Sequence, residues 1–392
     1  LTLFHLFDLF NASPLTQLTV LAPLILLFLG LIGFSLWRLT RQKSLKTQPG
    51  WFILVTLAAY FVFVLLMLGL APAGISFGNP VPVIIILGVL YLFSLAAGLI
   101  LLLGWQRFAR LRGKGRLPVV LYLTGHLALL AVFFYGFYIE PDWLEVTRTQ
   151  VPQARLAPGT PPIKIALISD IHMERWTRRE DEVLAKLNEA QPDLLLVAGD
   201  HINTDFYTPA AYADLQRFFK GLHAKYGVYA VAGTVDRLEE TRQALEGSEV
   251  QLLDDRVATV QLYGQSISII GVTTHYTQDG EVMARLAADL PTSDLKILLY
   301  HQPDLVPEAA ASGIDLYLAG HTHGGQISLP FFGPLYTASK FGRAYSAGLY
   351  NLAGPADTRL YITRGIGMEG NNMLRMRFLA RPEVSLITLV PA

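Results

Sequence analysis

Five clusters in this 392-residue chain combine carboxylates or imidazoles with small residues: Asp170-Ile171-His172, Gly199-Asp200-His201, Gly233-Thr234-Val235-Asp236, His301-Gln302-Pro303 and Gly320-His321-Thr322-His323-Gly324-Gly325-Gln326. They hold five of the nine histidines, and each directly follows a short apolar run. Carboxylate with neutral imidazole suits first-row divalent metals, whereas an all-oxygen set would suit Mg²⁺ or Ca²⁺. The chain has no cysteine, so thiolate ligands, disulfides and cysteine nucleophiles are excluded. Asp170 and His172 stand two apart, as do His321 and His323, and an extended chain would put each pair on one side. Six good ligands exceed the need of one four-coordinate ion, which makes a dinuclear site with a bridging carboxylate the economical reading. Two cations about 3.5 to 4 Å apart generate a hydroxide at neutral pH and clamp phosphoryl oxygens during in-line attack. The competing reading is a set of buried strand-end polar groups satisfied by backbone, and for His223 and His275, outside the clusters, that reading is preferred.

The runs before the clusters must place them. Residues 163–169, 194–198, 228–232, 295–300, 314–319, 359–363 and 384–389 read as short buried strands, and 259–263 with 266–272 as a hairpin around Gly264-Gln265. Helical spacing covers 181–190 and 210–225. Strands alternating with helices predict an α/β domain, whose ligands gather at the C-terminal strand ends. The expected boundaries are residues 1–140, a Pro-bearing linker at 141–162, and the α/β domain at 163–392.

The first 140 residues differ in kind. Overall 52% of residues are hydrophobic and only 16% charged, against about a quarter charged in an average domain. Charge-poor apolar runs near 15–37, 51–71, 81–105 and 117–139 predict a four-helix transmembrane region, each run matching the roughly 20 residues that span a bilayer. Arg38, Arg41, Lys43 and Lys46 follow the first run, and Arg107, Arg110, Arg112, Lys114 and Arg116 the third. Both loops are therefore expected in the cytoplasm, leaving the α/β domain outside a bacterial cytoplasmic membrane. His126, in the fourth run, reads as a neutral histidine bonded to a neighbouring helix in preference to a proton path. A signal peptide fits poorly, because the cations follow the first run. The first residue is Leu1, so the expectation is an upstream start or an unusual start codon. Residues 1–140 carry nine Lys/Arg against two Asp/Glu and the remainder 22 against 29, which argues against nucleic acid as a partner of the second half.

The order of the five clusters resembles the calcineurin-like metallophosphoesterase superfamily, and Gly324-Gly325-Gln326 is similar to its bacterial membrane-anchored branch. The resemblance covers roughly residues 140–392. It implies a four-layer α/β/β/α sandwich with two divalent ions, Mn, Fe or Zn, at the strand ends. Carried over, Asp170, His172 and His323 hold the first metal, Asp200 bridges, and His301 and His321 hold the second. One cluster departs from the pattern: Thr234-Val235 stands where the family has Asn-His. Thr234 then offers a hydroxyl as a weaker ligand, Val235 offers nothing, and His201 reads either as a compensating catalytic imidazole or as a loop residue. The expected function is a membrane-anchored, metal-dependent phosphoesterase acting on a phosphate ester or diphosphate, with the bilayer as a partner and a lipid-linked or envelope substrate. The alternative is a catalytically degenerate metal-binding membrane sensor or ligand-binding protein. Residues 329–335, with Phe331 and Phe332, read as a packed loop or as a segment dipping toward lipid or covering the site.

Overall fold

The computed structural model describes residues 117–392, apart from 205–206, 276, 355–356 and 370–373, with shorter stretches inside 54–65 and 87–101. The chain divides into two compact units, residues 1–134 with 370–375, and residues 135–369 with 376–392.

The first unit contains α1 (Leu117–Phe134). In it His126 Nδ1 lies 3.0 Å from the Tyr122 carbonyl and Nε2 lies 3.3 Å from Ser94 Oγ. A nitrogen facing a carbonyl carries the proton, so Nε2 accepts from the serine hydroxyl. Among the described residues no helix is long and apolar enough to cross a membrane. This overturns the expected four-helix transmembrane region and, with it, the multi-pass location in a bacterial cytoplasmic membrane. The run at 15–37 lies outside the described residues, and those at 51–71 and 81–105 lie partly outside them. The run at 117–139 is not one helix: α1 stops at Phe134, and Tyr135–Ile139 forms a π-helical turn with Gly136 and Phe137 buried. That turn belongs to the second unit, where the Gly136 carbonyl accepts the Arg377 N–H at 2.9 Å. Apolar length alone does not distinguish a bilayer-facing run from one partly used in protein packing.

The second unit is built from two six-stranded sheets and a two-stranded antiparallel ribbon of β10 (Ser328–Leu329) and β11 (Gly333–Pro334). The first runs in the order β1 (Glu145–Gln153), β14 (Glu383–Pro391), β2 (Ile163–Ile168), β3 (Leu194–Ala198), β4 (Val228–Val231), β5 (Val250–Leu252). The second runs β12 (Gly348–Asn351), β13 (Arg359–Ile362), β9 (Leu316–Ala319), β8 (Leu295–Tyr300), β7 (Gln265–Val272), β6 (Arg256–Leu262). Pairing is parallel from β2 to β5 and across β7, β8, β9 and β13.

Strand alternation sorts the side chains into layers. Ile165, Leu167, Leu194 and Leu196 share a core with Ile297, Leu299, Leu316 and Leu318 of the other sheet. The alternate residues Ala166, Ile168, Leu195 and Val197 pack on Val183 and Leu187 of α2 (Arg178–Ala190), Leu215 and Phe218 of α3 (Pro209–Lys220), and Ala244 of α4 (Leu238–Leu245). On the far side, Leu298, Tyr300 and Tyr317 meet Met283 of α5 (Asp279–Ala288) and Ala309 of α6 (Val306–Ala311). The result fits the expected α/β/β/α sandwich. Residues 145–153, inside the stretch expected to be linker, form β1 and pair parallel with β14. Thr147, Arg148, Thr149 and Gln150 with Pro152 give this strand little apolar signal, and it is recruited by its neighbour.

Candidate metal centre

Where β2, β3 and β9 end, the chain does not stay extended. Asp170, His172, Asp200, His321 and His323 all have positive φ, between 45° and 70°. Such values are uncommon outside glycine and concentrate where function holds the backbone in place. They are held here by cross-loop bonds: Asp170 N to the Gly199 carbonyl (2.9 Å), His172 N to that of Asp200 (3.0 Å), and Gly320 N to that of His301 (2.9 Å). Two glycines are sterically required. At Gly199 (φ 84°) a Cβ would run into the Gly233 backbone, and at Gly320 one would overlap the Ser169 and Asp170 side chains. Alternation in an extended strand therefore does not set the side-chain pairing. Asp170 and His172 do share a group, but His321 and His323 go to different ones.

Two groups of donors result, Asp170, His172 and His323 in one, and Asp200, His301 and His321 in the other. Within each, one atom per residue lies within 4.8 Å of the others. In the first, the Nε2 atoms of His172 and His323 stand 3.2 Å apart, and His323 Nε2 is 3.5 Å from Asp170 Oδ1. In the second, His301 Nε2 is 3.0 Å from His321 Nδ1 and 3.1 Å from Asp200 Oδ2. His301 Nδ1 lies 2.7 Å from the Ala198 carbonyl, so it bears a proton and leaves the Nε2 lone pair aimed at the other two donors. Asp200 Oδ2 also lies 3.9 Å from His172 Nε2, between the groups. Two imidazole nitrogens with a carboxylate oxygen, converging in a buried site, are a donor set that fits a first-row divalent ion.

The electrostatics agree. Burial raises the Asp170 pKa to about 7, with the Asp200 charge adding to it and His301 opposing. Burial also disfavours charge on Asp200, but the cationic His301 outweighs it, and His172 and His321 help hold that carboxyl well below the usual range. His301 shows the reciprocal effect: despite burial, Asp200 and then Asp170 raise it to about 10. His321 is lowered to about 4 by burial and by the charge on His301. Burial, then His172 and Arg377, push His323 well down.

The Thr234 hydroxyl donates to both Asp200 oxygens (3.2 and 3.1 Å), and Val235 N donates to Oδ1 at 3.1 Å. The departing cluster thus orients Asp200. His201 joins neither donor group. Its ring is fully buried edge-on against Phe219, with Nδ1 2.9 Å from Asp236 Oδ2. Asp236 in turn accepts the N–H groups of His201 (2.7 Å) and Gly233 (2.8 Å), tying the β3 and β4 loops together. A catalytic imidazole needs access to the leaving group, which this position denies. His223 is exposed, 3.2 Å from Glu249. His275 forms a half-exposed trio with Asp254 and Asp255, of which Asp254 pairs with Arg242.

The motifs miss Arg377, whose guanidinium is fully buried and donates to the carbonyls of Arg364, Gly365, Gly367 and Ala380. Gly367 N and Ile366 N bond the carbonyls of Asp170 and Ser169, so Arg377 braces the loop against the Asp170 turn. A single arginine in an unpatterned stretch gives no sequence signal. Gln302, beside His301, also faces His321.

Two groups of candidate metal ligands at the strand ends of a two-sheet α/β sandwich define a class, and comparison with known proteins agrees. Residues 163–328 match the calcineurin-like phosphoesterase superfamily domain. The chain is 30% identical over 274 residues to the uncharacterized metallophosphoesterase YkuE of Bacillus subtilis, covering 67% of this chain and 92% of that one. It is 27% identical to phosphodiesterase YaeI of Escherichia coli, covering 67% and 95% of the two chains. A transmembrane protein with metallophosphoesterase domain from Danio rerio is 24% identical, covering 97% of this chain and 83% of its own. The chain belongs to the calcineurin-like phosphoesterase superfamily.

Proposed function

We propose that the protein is a phosphoric ester hydrolase in which the two donor groups hold a pair of divalent cations, Mn²⁺, Fe²⁺ or Zn²⁺, sharing Asp200. The observation that carries this reading is the convergence of two imidazole pairs, 3.2 and 3.0 Å apart nitrogen to nitrogen, around buried carboxylates. Asp170, His172 and His323 would hold one ion, and Asp200, His301 and His321 the other. Bound there, the ions supply Lewis acidity toward phosphoryl oxygens and a nucleophile at neutral pH. The chain's own groups do the rest. Asp170 and Asp200 balance the added charge, and Thr234 and the Val235 N–H keep Asp200 turned toward both groups. Thr234 acts through this bond and is a positioning residue.

With valine at position 235 and His201 enclosed by Phe219 and Asp236, neither position presents an imidazole to protonate a leaving group. General acid help is worth roughly 10² to 10⁴ in rate. The favoured substrates are therefore phosphate esters or diphosphates whose leaving groups depart without protonation. Lipid-linked phosphates belong in the same screen, because Phe331, Phe332, Leu335 and Tyr336 stand exposed shortly after His323 in the chain. The same absence of an imidazole motivates a second reading, a metal-binding protein without turnover.

Phosphate release by the full chain with each metal, from aryl esters, diphosphates and lipid-linked phosphates, separates the two. Metal-dependent turnover of aryl esters supports the hydrolase. Two tightly bound ions with no turnover of any substrate favours the binding protein, and no metal binding at all defeats both.

A further inference from the structure

Behind His321 lies a chain of buried polar side chains. The Gln302 amide nitrogen is 3.4 Å from His321 Nε2, the amide oxygen is 3.1 Å from the Tyr300 hydroxyl, and that hydroxyl is 2.7 Å from Asp279 Oδ2. Asp279 also accepts the His275 N–H at 3.1 Å. Tyr300, Asp279 and Gln302 are all buried, so their polar atoms need partners within the protein, and the Tyr300 oxygen also takes a bond from the Thr274 side chain. A tyrosine hydroxyl has one proton, and the shorter bond to a carboxylate takes it. The amide oxygen would then face the tyrosine oxygen with no proton between them. The two ends of an amide have the same shape, and the hydrogen-bond network assigns them. Turned over, the amide donates to the Tyr300 oxygen and accepts from His321 Nε2–H, beside the Ala338 carbonyl that also bonds the His321 ring. Tyr317, donating to the Gln302 carbonyl, holds the residue from its other side.

We propose that Gln302 is a positioning residue for the metal centre: its amide oxygen, oriented by Tyr300 and Asp279, keeps the His321 proton on Nε2 and leaves the Nδ1 lone pair for a divalent cation. Nδ1 is the atom that faces His301 Nε2 at 3.0 Å, inside the donor group. An imidazole ligand with its second nitrogen bonded in this way holds its tautomer and ring orientation, and losing such a partner typically costs 10- to 100-fold in metal affinity.

The inference rests on the metal-centre reading, which zinc binding by the parent protein tests separately. The full chain with ¹⁵N-labelled histidine is examined by NMR without metal and with Zn²⁺, the His321 signals being identified by their loss in His321→Asn. The expected result is an Nε2–H tautomer without metal and coordination through Nδ1 with zinc. In Gln302→Leu the Nε2 proton should exchange faster with water and zinc binding weaken about 10- to 100-fold. Its melting temperature in EDTA should stay at the parent value. Tyr300→Phe, which frees the amide to turn, should give a smaller loss, and it serves if Gln302→Leu does not fold. An Nδ1–H tautomer in the metal-free parent overturns the proposal even if zinc does not bind. So does unchanged zinc affinity in both variants, or a loss of affinity matched by a loss of melting temperature in EDTA, which would give Gln302 a role in folding only.

Discussion

Replacing Arg377 with methionine keeps most of the side-chain volume and removes every guanidinium bond. Of its four carbonyl partners, Gly365 O keeps a second donor, the Glu383 N–H at 2.9 Å. The carbonyls of Arg364, Gly367 and Ala380 lose the guanidinium. Each buried acceptor left without a partner costs about 1 to 3 kcal/mol. Burial lowers the Arg377 pKa to about 9, so the charge is itself unfavourable there, and its removal returns part of the loss. The net expectation is about 3 to 5 kcal/mol, a large share of the 5 to 15 kcal/mol of an ordinary domain. Urea unfolding of the full chain in EDTA measures the total. Amide hydrogen exchange at Ile366 and Gly367, which bond the Ser169 and Asp170 carbonyls, reads the local part and should quicken about 10² to 10³-fold. Arg377→Lys should recover less than half, because one ammonium cannot reach carbonyls on both sides of a planar fork. Arg377→Met within 1 kcal/mol of the parent, with unchanged exchange at both amides, would refute the bracing role. Tighter cation binding without any loss of stability would instead show that the arginine acts only as a nearby charge.

Asp200→Asn retains shape and removes the charge between the two donor groups, so metal content should fall from about two ions toward one or none and activity should disappear, whereas His223→Ala should change neither; elemental analysis of the purified variants decides. Metal-free protein should lose stability from pH 7 to pH 10: the His301 pKa rises from 6.5 to about 10 on folding, so its contribution is complete below 6.5 and lost as pH climbs through 10. Melting temperatures in EDTA that do not fall over that interval would contradict it. Metal binding should strengthen with rising pH through about 7, where Asp170 gives up its proton, and should release protons from His301, which calorimetry in buffers of different ionisation enthalpy detects. Thr234→Asn with Val235→His should raise the rate on alkyl esters more than on aryl esters, because poor leaving groups need the proton. His201→Ala should lower stability and leave the aryl-to-alkyl ratio of kcat/KM unaltered; a selective loss on alkyl esters would restore His201 as the proton donor.

Local pattern is enough for the strands that carry the site. Residues 194–198 and 295–300 coincide with β3 and β8, because a short apolar run followed at once by Gly-Asp or His is informative without knowledge of its neighbours. The donors are equally legible, since residue type alone makes Asp170, His172, Asp200, His301, His321 and His323 metal-competent. The 117–139 run misled for a related reason: hydropathy records how apolar a segment is and not what it packs against, and Gly136 and Phe137 are buried in a turn of the second unit. β1 was hidden because its place is set by pairing with β14, more than two hundred residues away.

Which donor works with which was decided by the tertiary structure. His321 and His323 are two residues apart, yet left-handed turns at both send them to different groups, and their partners His301 and His172 come from different sheets. His201 has the same chemistry as these four, and only the packing of Phe219 and Asp236 around it withdraws it from the site. Arg377 and Gln302 act through bonds to loops and side chains that the chain brings to them from other strands. A sequence thus determined which atoms can bind a cation and which segments carry them, because those properties are local; the pairing of the atoms, their protons and their exposure depend on backbone turns and long-range contacts, which exist only once both sheets have packed.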